Sequence, residues 1–299
     1  MASASQATPR AVSTAPLATI ARWAGLAAIT FVIVVGLVFT IYPFLFMLGA
    51  TLKTNKEIFS LPPTLLPPTW QFQNWPGLFA DTSFARWLLN SVIVVVIRLP
   101  LSLFLCSLGA FALAKYEFPG RTLVFWLVIA TIMVPFEAIY VPLYFIMLKL
   151  DWLDTYQALI IPFAASAFGI FMLRQYMVSV PDEFIDAAKV DGASGWWIYR
   201  SVMVPLSLPA LGAIAIILFL ATWNSYFWPV IAANGQDVLT IPLGLTWLIS
   251  GGAAEAMEGP QWHLAMVVAT ISIMPLLLTF LLAQRQFIAG LTSGGVKGM

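Results

Sequence analysis

The chain has 299 residues, of which 61% are hydrophobic and 9% charged, against about 25% charged in an average soluble domain. That balance excludes a soluble fold with a wetted exterior and marks an integral membrane protein. A net charge of +1 excludes a nucleic-acid partner, and the lone Cys106, set in an apolar run, excludes an internal disulfide and reads as core filler.

From the N-terminus, residues 1–20 are small and polar and read as a disordered cytoplasmic tail. The apolar run behind them is too long for a signal-peptide core and lacks a cleavage site, so it is expected to stay in the mature protein. Six continuous runs reach the ~20 apolar residues of a spanning helix: 23–48, 87–114, 123–148, 156–178, 205–231 and 264–283. A barrel would alternate polar and apolar residues in ~10-residue pieces, and these runs do not. The expected fold class is all-α, an integral membrane bundle of six transmembrane helices. With the N-terminus inside, nine Lys and Arg lie on the cytoplasmic side and four outside. Both termini are then cytoplasmic, and 21–284 forms the transmembrane domain ahead of a cytoplasmic tail, 285–299.

The outer segment 51–86 holds SLPPTLLPPTW, whose prolines favour extended backbone. The outer segment 232–262 is Gly-rich and carries Asp237, Glu255 and Glu258. It reads either as a cap or contact for a soluble partner or as a plain connector. Pro100, Pro135, Pro142 and Pro275 interrupt apolar runs and predict kinks.

Two charges fall near mid-span. Arg98 and Glu137 each lie about ten residues from the outer end of their runs. A charge at that depth costs roughly 2.5–3.5 kcal/mol on insertion scales. Either the two pair inside the bundle or each faces its own water-filled cavity. Glu137, Tyr140 and Tyr144 share a helix face, and Trp223, Asn224 and Tyr226 sit together in the fifth run. Aromatic faces beside a carboxylate and an amide suit sugar rings, which makes these six a candidate solute path. The competing readings are an interfacial aromatic belt, above all for Trp228 beside Pro229, and an interhelical hydrogen bond for Asn224. His263 reads as an interfacial residue. The chain has no H-E-x-x-H, no nucleophile–base pair and no metal-ligand cluster. It has no phosphate-binding G-x-x-x-x-G-K-[ST] either, and Lys297 among glycines does not fit one.

The least apolar stretch of the second half is DEFIDAAKVDGASGWWIYRSVMVP, residues 182–205, in the cytoplasmic loop 179–204. Pro181 suits a first helical turn. Asp182, Glu183 and Asp186 complement the positive end of the helix dipole. Gly192 can take the left-handed conformation that ends a helix, and Ser194 can cap the next. The expectation is helix–turn–helix, with a first helix of about eleven residues that is marginal unless docked. Phe184, Ala187, Ala188 and Asp191 fall on one face. That face lies either on the protein's own helices or in a groove on a separate subunit.

Asp186-Ala187-Ala188, three residues, Gly192, nine residues, then Val202-Met203-Val204-Pro205 resembles the "EAA" loop of permease subunits in bacterial ATP-binding-cassette importers. ALAKYEFPGR (112–121), WNSYFWPVI (223–231) and RQFIAGLTSGGVKG (285–298) are similar to the carbohydrate-uptake permeases of the maltose-type G subunit family. The resemblance implies a permease that pairs with a second, non-identical permease, two ATPase subunits and an extracytoplasmic solute-binding protein. It implies that ATP and Mg sit on the ATPases, with no cofactor on this chain. It also implies that Phe184, Asp186, Ala187, Ala188, Asp191, Gly192, Ala193 and Ser194 couple to the ATPases, with the tail 290–298 reaching toward them. The implied location is the bacterial cytoplasmic membrane, and the implied cargo a sugar or a glycerol-phosphate compound. A stand-alone secondary transporter or channel is the alternative, and it predicts inverted repeats or broken helices with ion ligands at mid-membrane.

Overall fold

Where a chain meets lipid, its backbone N–H and C=O groups must find partners within the protein. The computed structural model meets that demand with helices and describes residues 15–233, 235–250 and 259–295. The chain begins with α1 (Ala15–Ala50), α2 (Asn55–Ile58) and α3 (Asn74–Asp81). The long α4 (Phe84–Lys115) follows, then α5 (Arg121–Met133), α6 (Phe136–Lys149), α7 (Tyr156–Ile160) and α8 (Ala167–Val178). The polar loop holds α9 (Glu183–Val190), α10 (Gly195–Ile198), a π-helical turn (Tyr199–Met203) and α11 (Val204–Leu206). The chain closes with α12 (Leu208–Trp223), α13 (Phe227–Ala232), α14 (Ile241–Ser250) and α15 (Trp262–Gly295).

Four stretches can cross a bilayer by length and composition, Gly25–Ala50, Phe84–Lys115, Tyr156–Val178 and Trp262–Leu282, and two bent helix pairs bring the number to six. α4 is the axis of the bundle. Its buried residues Trp87, Ser91, Val94, Ser102, Cys106, Ala110 and Ala114 recur at helical spacing and pack against α8, α12 and α14. The core lies in two parts. Trp87, Leu159, Trp223, Trp228 and Val267 centre one, and Cys106, Phe111, Leu173, Tyr199 and Met203 the other.

Two of the expected spans are not single helices. The run 123–148 is broken at Val134–Pro135, where α5 and α6 meet at 101°. Pro135 lacks an N–H and pushes Val134 out of the helical region, to φ −79 and ψ 120. Each arm is about 20 Å long, short of the ~30 Å hydrocarbon layer. The run 205–231 is likewise divided. The segment Gly195–Leu206 meets α12 at 79°, and a further break at Asn224 precedes α13. Pro100, Pro142 and Pro275, by contrast, lie inside helices that continue through them. Helix also covers part of both expected tails. α1 starts at Ala15 and α15 runs to Gly295, while the remainder of each tail lies outside the described residues.

The segments 51–86 and 232–262, expected on the outer side, are more structured than their composition suggests. In 51–86, Thr54 and Glu57 form a reciprocal capping box at α2. The Asn74 amide donates to the carbonyls of Thr51 and Lys53, each at 2.9 Å. Lys53 is wholly buried beneath this loop, over the Phe46 ring at 4.8 Å, and donates to the Thr64 carbonyl. Burial pushes its ammonium pKa down, against the opposing pull of Glu57. The segment 232–262 is no plain connector, since α14 packs on α4 and α15. Asn90 of α4 donates to the carbonyls of Asp237 (3.0 Å) and Leu239 (2.8 Å), Ser91 Oγ accepts from Ile241 N–H (2.8 Å), and Arg86 meets Asp237 at 2.7 Å. Glu255 and Glu258 lie outside the described residues.

α14 approaches α4 so closely at Gly244 that an added Cβ would enter the Trp87 ring. Gly244→Ala is therefore expected to cost about 1–3 kcal/mol through overpacking. Gly36→Ala on α1, where a Cβ meets nothing within 4 Å, is the control. Thermal unfolding of the two variants in detergent should show a lowered midpoint for Gly244→Ala alone.

Candidate functional site

The polar loop is built onto the C-terminal end of α4. The last carbonyls of a helix have no partners within it. Here they are met from outside: Arg121 Nε donates to Leu113 O at 2.9 Å, Arg121 Nη2 to Ala114 O at 3.1 Å, and Arg174 Nε to Leu113 O at 3.3 Å. The Arg174 guanidinium also lies 4.0 Å from the Phe125 ring. Lys115, whose side chain is 4% exposed, donates to Val180 O and to Asp182 Oδ1, both at 2.6 Å. This hydrogen bond, with the ammonium charge, holds the Asp182 carboxyl below its usual pKa range. The tie therefore persists above the ordinary carboxylate range and is lost as acid protonates Asp182. Neither Lys115 nor Arg174 was among the predicted site residues. Lys115 and Arg121 sit in ALAKYEFPGR, a signal that could have pointed to them.

Beyond Asp182 the loop folds as helix–turn–helix. α9 covers eight residues rather than about eleven. Gly192 has φ +78, donates to Lys189 O at 3.0 Å, and is followed by Ala193 N–H donating to Ala188 O at 2.9 Å. These two bonds are the Schellman closure that a left-handed glycine permits. Ser194 Oγ then accepts from Trp197 N–H and caps α10. α10 rests on α4 through Gly195, where a Cβ would strike Tyr116. Ser107 and Tyr199 join by a 2.6 Å hydroxyl–hydroxyl hydrogen bond, and Tyr199 packs on Phe111 at 5.6 Å. The turn Tyr199–Met203 that leads out toward α12 is π-helical.

The predicted face of α9 divides. Ile185 and Ala188 turn inward and are buried in the bundle. Phe184 is 51% and Val190 87% exposed, and Ala187 and Asp191 are exposed with them. Ala188 thus belongs to the docked side, the correction helical spacing required once Ile185 is buried. Asp186 points outward and pairs with Lys189 at 3.1 Å. Trp196 and Trp197 of α10 are also more than half exposed. A short helix fixed at both ends therefore presents an apolar, unpartnered surface beside two indoles.

The polar groups of the bundle are arranged otherwise than the sequence suggested. Among the described residues Arg98 and Glu137 form no ion pair. The Arg98 guanidinium instead lies 4.9 Å from the Phe163 ring, while Glu137 sits exposed at the start of α6, beyond the break at Pro135. Trp223 is buried, and its indole N–H donates to Ser272 O at 3.0 Å, so it belongs to the core, where it walls a small recess beside Arg98. Trp228 is equally buried and donates to Ala158 O at 2.8 Å, which overturns the interfacial reading. Asn224 donates to Leu220 O within its own helix, not across helices. Tyr140, half-buried, joins an aromatic strip with Trp228 (6.1 Å) and Phe136 (6.4 Å), and Phe163 closes on Trp228 at 5.8 Å. Tyr144 packs by Phe145, and Tyr226 by Phe227. His263 Nδ1 lies 2.9 Å from Asn55 Oδ1 in the outer region.

The profile of the family described as "Binding-protein-dependent transport system inner membrane component" matches residues 106–292, which include the polar loop. The arabinooligosaccharides transport system permease protein AraQ of Halalkalibacterium halodurans is 34% identical over 261 residues, 86% of this chain and 91% of that protein. The sn-glycerol-3-phosphate transport system permease protein UgpE of Brucella abortus is 30% identical over 267 residues, 87% of this chain and 93% of that one. Among solved structures, a chain of a bacterial ABC transporter involved in the import of the acidic polysaccharide alginate superposes with a TM-score of 0.75 at 23% identity. It covers 93% of this chain and 99% of its own. A chain of the alginate transporter in complex with a pentasaccharide-bound periplasmic protein superposes with a TM-score of 0.58 at 15% identity, covering 88% of this chain and 94% of its own.

A Cβ at Gly192 would meet nothing within 4 Å, so the cost of replacing it is the left-handed backbone alone. Gly192→Ala is expected to loosen α9 by roughly 1–2 kcal/mol, and Gly192→Asn by less. Hydrogen exchange over residues 183–190 should quicken at least about fivefold in the alanine variant, with asparagine intermediate.

Proposed function

The chain belongs to the family of binding-protein-dependent transport system inner membrane components, and from that premise we propose how it works. It is the multi-pass permease subunit of an ATP-binding-cassette importer for sugars or sugar-like solutes. It forms half of the translocation path, beside a second, non-identical permease. Two separate ATPase subunits carry ATP and Mg, and an extracytoplasmic binding protein delivers the solute. Both termini and the loop 179–204 face the cytoplasm. The named relatives that carry arabinooligosaccharides and glycerol 3-phosphate support a sugar or polyol-phosphate cargo.

The observation that carries the coupling role is the division of α9. Ile185 and Ala188 hold the helix to the bundle while Phe184, Ala187 and Val190 stay uncovered. Phe184 fills a cleft on an ATPase when the two ATPases close on ATP. Motion of α9 then passes to α4 and α8 through the buried Lys115 tie and to α12 through the π-helical turn. The bends before α12 and between α5 and α6 supply the hinges on which inward-open and outward-open states exchange. The tail 290–298 makes a second contact with the ATPases.

The test is recovery of the complex. The tagged permease purified from its native membranes should bring down both ATPase and second permease, and reconstituted complex should take up solute only with ATP. Recovery of the permease active alone would reject the assignment in favour of a stand-alone transporter. Phe184→Ala is expected to keep normal membrane levels but to lower co-purified ATPase at least about tenfold, as loss of an aromatic anchor does. Ile185→Ala should instead lower the yield of folded permease, by about 2–5 kcal/mol of stability. Gly192→Pro is expected to leave the protein in the membrane and to cut uptake or assembly.

A further inference from the structure

We propose that Arg98, with the polar recess it lines, is an anion-recognising element of the solute path, so that the cargo carries a carboxylate or a phosphate. The proposal rests on the importer reading and narrows its substrate class. An arginine at this depth of a membrane bundle is costly and calls for a partner. Among the described residues Arg98 has neither an ion pair nor a hydrogen bond, and Glu137 does not approach it. The ring of Phe163 at 4.9 Å faces the guanidinium and supplies no acceptor.

The recess beside it is rich in donors. Ser91, Arg98, Thr222, Ser225 and Thr240 line it together with apolar groups, and no carboxylate does. Ser91 Oγ already accepts from Ile241 N–H, which leaves its own proton to donate. Thr240 Oγ1 is buried and has no hydrogen-bond partner among the described residues. Hydroxyl groups lining one recess with a planar five-donor guanidinium match an oxyanion. The cavity of about 10 Å³ admits one water-sized atom. One oxygen of a carboxylate or phosphate enters it, and the rest of the anion stays against the accessible edge of the partly buried Arg98. The strip Tyr140–Trp228–Phe163 runs up to the same guanidinium, with Trp228 as its buried backing, and the partly exposed Tyr140 and Phe163 offer ring faces to the uncharged part of the solute.

The test uses the full complex, reconstituted with its binding protein. Three labelled probes are offered: trigalacturonate for the carboxylate arm, glycerol 3-phosphate for the phosphate arm, and arabinotriose as the neutral arm. ATP-dependent uptake of one of the two anions is expected, and which arm responds identifies the source of the charge. Arg98→Gln should lower that uptake at least tenfold, and Arg98→Lys should retain part of it by keeping the charge without the bidentate geometry. Thr240→Val should lower it several-fold. Uptake of arabinotriose alone, or of none of the three by a complex that contains its ATPases, would overturn the anion site and leave the importer standing. So would anion uptake that Arg98→Gln leaves unchanged. Loss of assembly in both Arg98 variants would make the residue structural and overturn the proposal as well. Absence of ATPases from the purified complex would instead remove the importer reading itself.

Discussion

The carbonyls at the C-terminal end of α4 have no partners within their own helix, and much of the half of the protein around the polar loop is organised by how they are met. Arg121 at the head of α5 and Arg174 in α8 both reach Leu113 O, and Arg121 also takes Ala114 O. Lys115 then turns the other way and seizes Val180 O and Asp182. Three cations thus join four segments at one point. Their stems lie on apolar surface while their charged ends find oxygen, the habit of long basic side chains near a membrane face. Because the donors are cations, these bonds belong to the stronger class, and the loop they hold is anchored before its own short helices contribute anything.

From that anchor the loop gains a division of labour. A helix as short as α9 does not persist alone in water, yet here Ile185 and Ala188 bury one side while the Schellman closure at Gly192 fixes the far end. The remaining side is free to be read by another chain. α10 continues the arrangement, with Ser107 and Tyr199 bonded deep in the bundle and Trp196 and Trp197 left outside. A surface of this kind can transmit movement because its rear is rigid. Sharp bends at Val134–Pro135 (101°) and at Leu206–Leu208 (79°) interrupt the helices on either side of this loop.

The correspondence between sequence and structure follows the range of the forces involved. Local chemistry was legible: the left-handed glycine at 192, the Ser194 cap and the helix–turn–helix all stand as the residue types required. The break at Pro135 was anticipated as a kink, but its angle was not, since proline removes a bond without dictating a direction. The other prolines show the converse, for α4 and α15 run through theirs, held by packing. The polar and aromatic groups in the spans were the least legible. Trp223 looked like an open ring face and Trp228 like an interfacial one, and both proved to be core, because each indole N–H found a carbonyl on a neighbouring segment. Arg98 and Glu137 matched in depth, yet the break before α6 leaves them unpaired.

The sequence by itself determined that the chain is a helical membrane protein with room for six crossings, and where its one polar loop caps, turns and ends. Those properties depend on composition and on contacts within a few residues, which the order of amino acids states directly. Only the tertiary structure decided which side of α9 is docked, that α14 lies buried on α4, and that Arg98 faces Phe163 and a hydroxyl-lined recess. Those outcomes depend on which distant helices meet and at what angle, and side-chain hydrogen bonds across many residues of separation have no local signature.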